Sequence, residues 1–159
     1  MRFSLLAFLV STVAATCSDE KKIDFSQFHH GDYVRDVDDG IHVSAWSLTG
    51  YTWRGPRVFD THERHTRDYD LEKNVGKGLI IQEKKWTSPD DNIFGGKMIF
   101  TFDKPVTILS ANFLDTQLAP TIDVNGKWIK GPHTSNGGTG TAHINVPQVH
   151  KMAIVFPGT

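Results

Sequence analysis

The 159-residue chain carries 17 lysine and arginine residues against 18 aspartate and glutamate residues, which gives a formal net charge of −1 at pH 7. A balance so close to neutral gives no basic surface for nucleic acid or for an anionic membrane. Without the N-terminal segment considered next, about 140 residues remain, enough for one domain with a hydrophobic core.

The N-terminus has the features of a secretory signal peptide in their usual order. A basic Met1-Arg2 start is followed by the apolar run 3–13, by small residues at 14–16, and by charged residues at 19–22. The apolar run is shorter than the roughly 20 residues that cross a bilayer. We predict a signal peptide over residues 1–17, cleaved between Ala15 and Ser18, and a secreted, extracellular protein with no membrane insertion.

The only cysteine, Cys17, lies in the predicted cleavage zone. An intramolecular disulfide is therefore excluded, and the fold must depend on its core and on any bound metal. The alternative for Cys17 is lipid attachment, which Thr16 disfavours because it is bulky for the position before a lipidated cysteine.

Alternating polar and apolar residues dominate the rest of the chain, whereas helical periodicity is absent. Many short strands separated by Gly, Pro, Asn and Asp turns predict an all-β fold, an antiparallel β-sandwich of jelly-roll-like type over residues 18–159. The predicted strands are Ile23–Phe28, Ile41–Trp46, Arg57–Phe59, Gly78–Glu83, Lys97–Phe102, Val106–Leu114, Thr121–Val124, Lys127–Lys130, Thr141–Val146 and His150–Phe156.

Three local features of these strands can be predicted. Asn125-Gly126 between two alternating runs predicts a tight hairpin. Asp103–Pro105 reads as a short turn between two strands. The aromatic and aliphatic positions Phe100, Phe102, Ile108 and Phe113 are expected to fill the core.

Acidic side chains cluster in loops and at strand ends, where calcium ligands are commonly found. Calcium takes six to eight oxygen ligands from carboxylates, amide side chains, carbonyls and water. Asp68 and Asp70 share one side if their segment is extended. The alternative is that each acid bonds the backbone of its own turn. The candidate metal ligands are Asp60, Asp68, Asp70, Asp90, Asp91, Asn92 and Asp115.

A series of short motifs adds a family resemblance over residues 24–156. In order they are Phe59-Asp60-Thr61, Asp68-Tyr69-Asp70-Leu71, Gly78–Glu83, Pro89-Asp90-Asp91-Asn92, Gly95-Gly96, Phe100-Thr101-Phe102 with Pro105-Val106, and Phe113-Leu114-Asp115. The series resembles a calcium-binding type of extracellular β-sandwich domain in exported bacterial proteins, often those with a C-terminal sorting tail. The resemblance implies a sandwich fold with the acidic positions at a calcium site, and it implies little about activity.

The chain departs from that family at its C-terminal end. It carries no sorting tail, and it stops at Phe156–Thr159, where similar sequences continue into one further strand. Either an edge strand is missing or the sequence is a fragment.

Aromatic residues point to a carbohydrate ligand. Exposed rings can stack on sugars, while arginine and acidic groups bind hydroxyls. Trp53, Arg54 and Trp128 are the candidate sugar contacts, and Trp46 is assigned to the core because it lies in a strand pattern.

Enzyme motifs such as the nucleophile elbow, the P-loop and His-Glu-x-x-His are absent from the sequence. A zinc site at His62 and His65 is disfavoured, because zinc needs three or four converging ligands. We therefore predict a secreted, calcium-stabilised binding module for extracellular carbohydrate or a cell-surface polymer, or an adhesive one. Two alternatives stay open: a carbohydrate-active hydrolase that uses Glu83 with a neighbouring aspartate, and a structural extracellular-matrix module without a small ligand.

Overall fold

The computed structural model describes residues 21–48, 55–64, 66, 68–83 and 88–158. The predicted signal peptide 1–17 and two predicted sugar contacts, Trp53 and Arg54, lie outside the described residues. Within the described part of the chain, no helix combines the length and the apolar character that a membrane span requires.

Eight antiparallel strands and one short 3₁₀ helix, Tyr69–Leu71, make up the regular structure of the described residues. Six strands form one sheet in the order β1-β2-β5-β8-β6-β7, and β3 pairs with β4 in a second, small sheet. This confirms the predicted all-β antiparallel fold. The strands are β1 (Asp36–Asp38), β2 (Ile41–Ser47), β3 (Arg57–Asp60), β4 (Lys77–Ile80), β5 (Gly96–Leu114), β6 (Thr121–Val124), β7 (Lys127–Lys130) and β8 (Thr139–Phe156).

The alternation of apolar residues sends one face of the large sheet into the core. Paired residues of neighbouring strands project to the same face, so the register aligns Val43, Phe100, Met152 and Val124 in one buried row. Val58 of the small sheet belongs to the same core. The two sheets therefore share one apolar interior, as in a sandwich.

Two predicted pairs of strands are single long strands. The turn predicted at Asp103–Pro105 is wrong, because these residues continue β5. The register with β8 shifts between Thr101 and Val106, so the regular ladder is already broken there. Pro105, which lacks an N–H donor, lies in this irregular stretch, and the strand continues past it. The strands predicted at Thr141–Val146 and His150–Phe156 are likewise one strand, β8. It continues through Gln148, whose φ of 56° marks an irregular position. The far halves of both strands still contribute to the core.

Two further predictions are wrong for local reasons. The segment Ile23–Phe28 forms no strand, because Phe25 has a φ of 57° and its carbonyl accepts the N–H of Phe28 in a turn. Trp46 is not in the core: it is 39% exposed on the outer face of β2, with the Lys97 ammonium 5.9 Å from its ring centre.

Two glycine-containing turns lie at the sheet ends, and the one at Asn125-Gly126 was predicted. Asn125 and Gly126 have φ values of 52° and 78°, the left-handed pair that a tight hairpin between β6 and β7 requires. Gly95, with a φ of 68°, precedes β5, where a Cβ atom would lie 2.3 Å from the carbonyl oxygen of Phe156. A side chain at that position would therefore push the two strands apart.

Phe100→Ala is expected to lower the free energy of unfolding by about 3–5 kcal/mol, because Phe100 is fully buried between strands. Phe94→Ala, at a site that is 44% exposed, is the matched control and should cost less than about 1 kcal/mol. Urea unfolding of both variants measures the difference. Equal losses would contradict the assignment of Phe100 to the shared core.

Candidate metal site

Three loop aspartates from two separate segments meet beside the small sheet. Asp68 immediately precedes the 3₁₀ helix, and Asp90 and Asp91 lie between β4 and β5. An isolated antiparallel bridge between Gln82 and Asp91 closes the second segment on itself, and the Asp91 N–H donates to Asp68 Oδ2 of the first segment at 3.3 Å. Carboxylate oxygens of Asp68, Asp90 and Asp91, one from each residue, all lie within 4.8 Å of one another.

A small apolar cluster explains why these loops converge. Phe59, Leu71, Ile80 and Leu114 are buried together, apart from the main core. Leu71 ends the 3₁₀ helix that follows Asp68, so burying this side chain also fixes the acidic segment. Leu114 is the last residue of β5, so burying its side chain fixes the position of Asp115, which follows it.

The buried oxygens of this group lack the hydrogen-bond donors that buried carboxylates normally have. Asp91 is 1% exposed, and neither of its side-chain oxygens accepts a hydrogen bond. Asp68 is fully buried; its Oδ2 accepts the N–H of Asp91 at 3.3 Å, but its Oδ1 accepts none. Asp70 Oδ1 is also buried and accepts no hydrogen bond. Several unpaired carboxylate oxygens in one place are costly and rare, so they point to a missing positive partner.

Burial and the proximity of like charges raise the pKa of both central carboxyl groups. For Asp68, burial is the largest cause, followed by contacts with Asp70 and Asp91, and the pKa rises to about 10. For Asp91, burial again is the largest cause; the proximity of the Asp68 carboxyl group opposes it, the charge of Asp115 adds to it, and the pKa rises to about 8. Without a cation, these groups therefore keep protons at neutral pH.

The donor set selects a class of metal ion. The ligands that converge are carboxylate oxygens, with no histidine or cysteine in the group. Oxygen ligands suit Ca²⁺, Mg²⁺ and Mn²⁺, whereas zinc and copper sites use nitrogen and sulfur. The residues present therefore fit a hard divalent cation.

The other predicted ligands hold their own turns. Asp60 Oδ1 accepts the N–H of His62 and lies 2.8 Å from its ring Nδ1, and its Oδ2 is 3.8 Å from Lys77 Nζ. The Asn92 side chain accepts the N–H of Phe94 and donates to Ser47. The structure does not bring Asp60 into the group of three, and the Asn92 oxygen already has a donor.

Asp115 lies at the border of the site. Its Oδ1 accepts the N–H of Gly137 at 2.6 Å, and its own N–H donates to the Gly138 carbonyl at 2.8 Å. Its charge raises the pKa of Asp91, so the two groups interact. Asp115 therefore joins the loop before β8 to the acidic group.

Two other residues singled out in the sequence are Trp128, a predicted sugar contact, and Glu83, which only the hydrolase alternative requires. Trp128 is 66% exposed on β7. Its register partner Asp123 pairs with Ala153 on β8. Ala153 is adjacent to the inward-facing Met152 and so projects to the opposite side, which puts Trp128 on the outer face of the large sheet. Glu83 is beside the acidic group, since its N–H donates to the Asp90 carbonyl at 3.1 Å.

Sequence reasoning missed one exposed aromatic residue on that same outer face. Trp46 pairs with Lys97, Lys97 with Val155, Val155 with Thr121, and Thr121 with Lys130. Lys130 is on β7, the strand that also carries Trp128. The strands that carry Trp46 and Trp128 are thus four strand spacings apart, about 19 Å across the sheet. The alternation in β2, where residues 41, 43 and 45 are buried, already required residue 46 to point outward.

Comparison of the chain with protein-family models, curated proteins and solved structures gives no match. The resemblance to exported bacterial β-sandwich domains therefore stays a prediction.

The raised pKa values predict how the stability of the metal-free protein depends on pH. Unfolded aspartates ionise near pH 3.8, whereas folded Asp68 and Asp91 hold their protons to about pH 10 and about pH 8. The unfolded state therefore binds fewer protons in between, and stability is lost as the pH rises. In EDTA, the melting temperature should fall between pH 5 and pH 8, with a loss of free energy of unfolding of about 1.4 kcal/mol per pH unit for each of the two groups.

The variant Asp91→Asn should reduce the slope of this pH profile by about half, because it removes one of the two groups. Asp39→Asn, at an exposed turn position, is the control and should leave the slope unchanged. A flat profile for the unmodified protein in EDTA, measured by differential scanning calorimetry, would contradict the buried like-charge arrangement.

Proposed function

We propose that the protein is a secreted binding module whose fold is stabilised by a calcium ion held by Asp68, Asp90 and Asp91, with Asp70 as a further ligand. The observation that carries the proposal is the Asp91 carboxylate, which is buried and accepts no hydrogen bond at either oxygen. A divalent cation supplies the positive partner that these oxygens lack.

Calcium fits the site better than magnesium does. Magnesium usually keeps several waters and takes only one or two carboxylates, whereas calcium accepts an irregular set of six to eight protein oxygens. Asp68 and Asp91 are buried, which leaves little room for a shell of waters, and Asp70 offers another carboxylate. A calcium ion there would join two loops in a domain that has no disulfide.

Adding calcium to the EDTA-treated protein at pH 7.5 should raise the melting temperature. The stabilisation should reach about 2.7 kcal/mol when free calcium is 100 times the dissociation constant. Asp91→Asn should abolish this response, because it removes a ligand charge from the centre of the site. Thermal unfolding with EDTA, calcium and magnesium in turn measures the effect.

Two features make the experiment specific. Asp60→Asn alters an aspartate outside the group of three and should keep the calcium response. Asp91→Asn should also be at least as stable as the unmodified protein in EDTA at pH 7.5, since it removes the cost of keeping a buried carboxyl group protonated far above its ordinary pKa. A melting temperature that ignores calcium, with no metal found in the purified protein, would overturn the proposal.

The ligand of the module is an extracellular polysaccharide that lies across the outer face of the large sheet. The support is the pair of exposed rings Trp46 and Trp128 on one face, with Lys97, Lys130 and Lys151 on the same face. Aromatic rings offer flat apolar surface, and lysines donate hydrogen bonds to hydroxyl and carboxylate groups. An extended chain can contact several strands at once.

Trp128→Ala and Trp46→Ala should each weaken binding to polysaccharide by roughly tenfold or more, as expected for the loss of an aromatic anchor. Co-sedimentation with insoluble polysaccharides and affinity electrophoresis in soluble, acidic ones are suitable assays. Phe94→Ala removes an exposed ring in the turn before β5 and serves as the control. Unchanged binding in both tryptophan variants would exclude this face.

The two alternatives have distinct signatures in the same assays. Release of soluble sugar, abolished by Glu83→Gln, would favour the hydrolase. Calcium-dependent stability without binding to any polysaccharide would favour the structural matrix module.

A further inference from the structure

The part of the outer face of the large sheet that carries Trp46 and Trp128, here called the tryptophan face, lies at one end of β5 and β8. A cavity of about 540 Å³ lies at the opposite ends of these two strands. Its volume falls in the range of small-molecule sites, roughly 300–1,000 Å³. The strand ends Asn112–Leu114 and Thr139–Thr141 form one wall, and residues 75–77 and the segment 22–26 form the others.

The cavity lining combines hydrogen-bond donors and acceptors around an apolar base. Phe113 and Leu114 supply the base. Thr141 donates its hydroxyl proton to Asn112 Oδ1 at 2.7 Å, which fixes the Asn112 amide and leaves its NH₂ group as a donor. Thr139 adds a hydroxyl, His62 adds a ring, Asp24 adds a carboxylate, and Lys22 and Lys77 add ammonium groups. The Lys77 ammonium already donates to the carbonyls of Ser26 and Phe28.

This mixture selects one class of ligand. A phosphate accepts hydrogen bonds only: it could use the Lys22 ammonium, but it would leave the Asp24 carboxylate facing a second anion. A metal ion would be repelled by Lys22 and Lys77, and an apolar molecule would leave the polar groups unpaired. A hydroxyl group both donates and accepts, so a polyhydroxylated ring satisfies donors and acceptors together while its C–H face rests on the apolar base.

We propose that this cavity is a second binding site, for a single pyranose sugar ring, separate from the outer face of the large sheet. Its walls are joined to the acidic group. Asp115 follows Leu114 directly and bonds Gly137 and Gly138, just before Thr139. The backbone of Gly76 is held by Thr61, whose N–H and hydroxyl both donate to its carbonyl, at 3.0 and 2.7 Å.

Amide NMR spectra of the calcium-loaded mature protein, titrated with methyl glycosides of glucose, galactose and mannose and with sodium glucuronate, test the proposal. At least one probe should shift the signals of residues 112–114 and 139–141. Asn112→Asp keeps the acceptor for Thr141 but loses the amide donor, and Thr139→Val keeps the side-chain shape but loses the hydroxyl. Each should weaken binding about tenfold.

Thr101→Val, which changes an exposed threonine of β5 away from the cavity, is the matched control and should bind normally. Shifts confined to the surroundings of Trp46 and Trp128 would overturn the cavity proposal while leaving the polysaccharide face intact. The absence of shifts for every probe, or shifts at the cavity that persist in Asn112→Asp and Thr139→Val, would also overturn it. The separate calcium experiments are unaffected by any of these results.

Discussion

The constraint on which the architecture of this site depends is electrostatic: carboxylates that are buried side by side cannot all be ionised without a positive partner. Asp91 and Asp68 have almost no contact with water, and three of their four side-chain oxygens accept no hydrogen bond. The same geometry can be satisfied in two ways, by protons or by a cation. Protons lower the charge but leave oxygens without donors, whereas a cation satisfies both the charge and the lone pairs.

This constraint acts through the apolar cluster below it. Leu71 and Leu114 bury their side chains beside Phe59 and Ile80, and in doing so they hold the neighbouring aspartates in place. Burial of these side chains contributes favourable free energy that offsets part of the cost of bringing the charges together. Hydrophobic packing thus positions the acidic group. Because its carboxylates repel one another, the stability of the loops depends on whether protons or a cation neutralise them. The absence of a disulfide gives such a clamp more weight than it would have in a cross-linked domain.

The alternating pattern was sufficient to predict the fold class, most strand positions and the hairpin at Asn125-Gly126, because these depend on neighbours in sequence. It did not predict that β5 runs through Asp103–Pro105, because the partner strand, not the local sequence, decides whether a proline interrupts a sheet. Among the acids, turn chemistry and metal ligation have the same sequence signature. Only the three-dimensional arrangement separates Asp60, which holds a turn, from Asp91, whose oxygens have no donor.

The long strands also connect the acidic group to the rest of the molecule. β5 begins at Gly96, beside Trp46, and ends at Leu114, one residue before Asp115, so one strand reaches from the tryptophan face to the acidic loops. β8 runs antiparallel to it and returns from Thr139 to Phe156. A change in the loops at Asp115 and Gly137 therefore acts first on the nearby strand ends that line the cavity. The distant face is held by the regular ladder between residues 96–101 and 151–156, so we infer that loading of the acidic group affects the cavity more strongly than the tryptophan face.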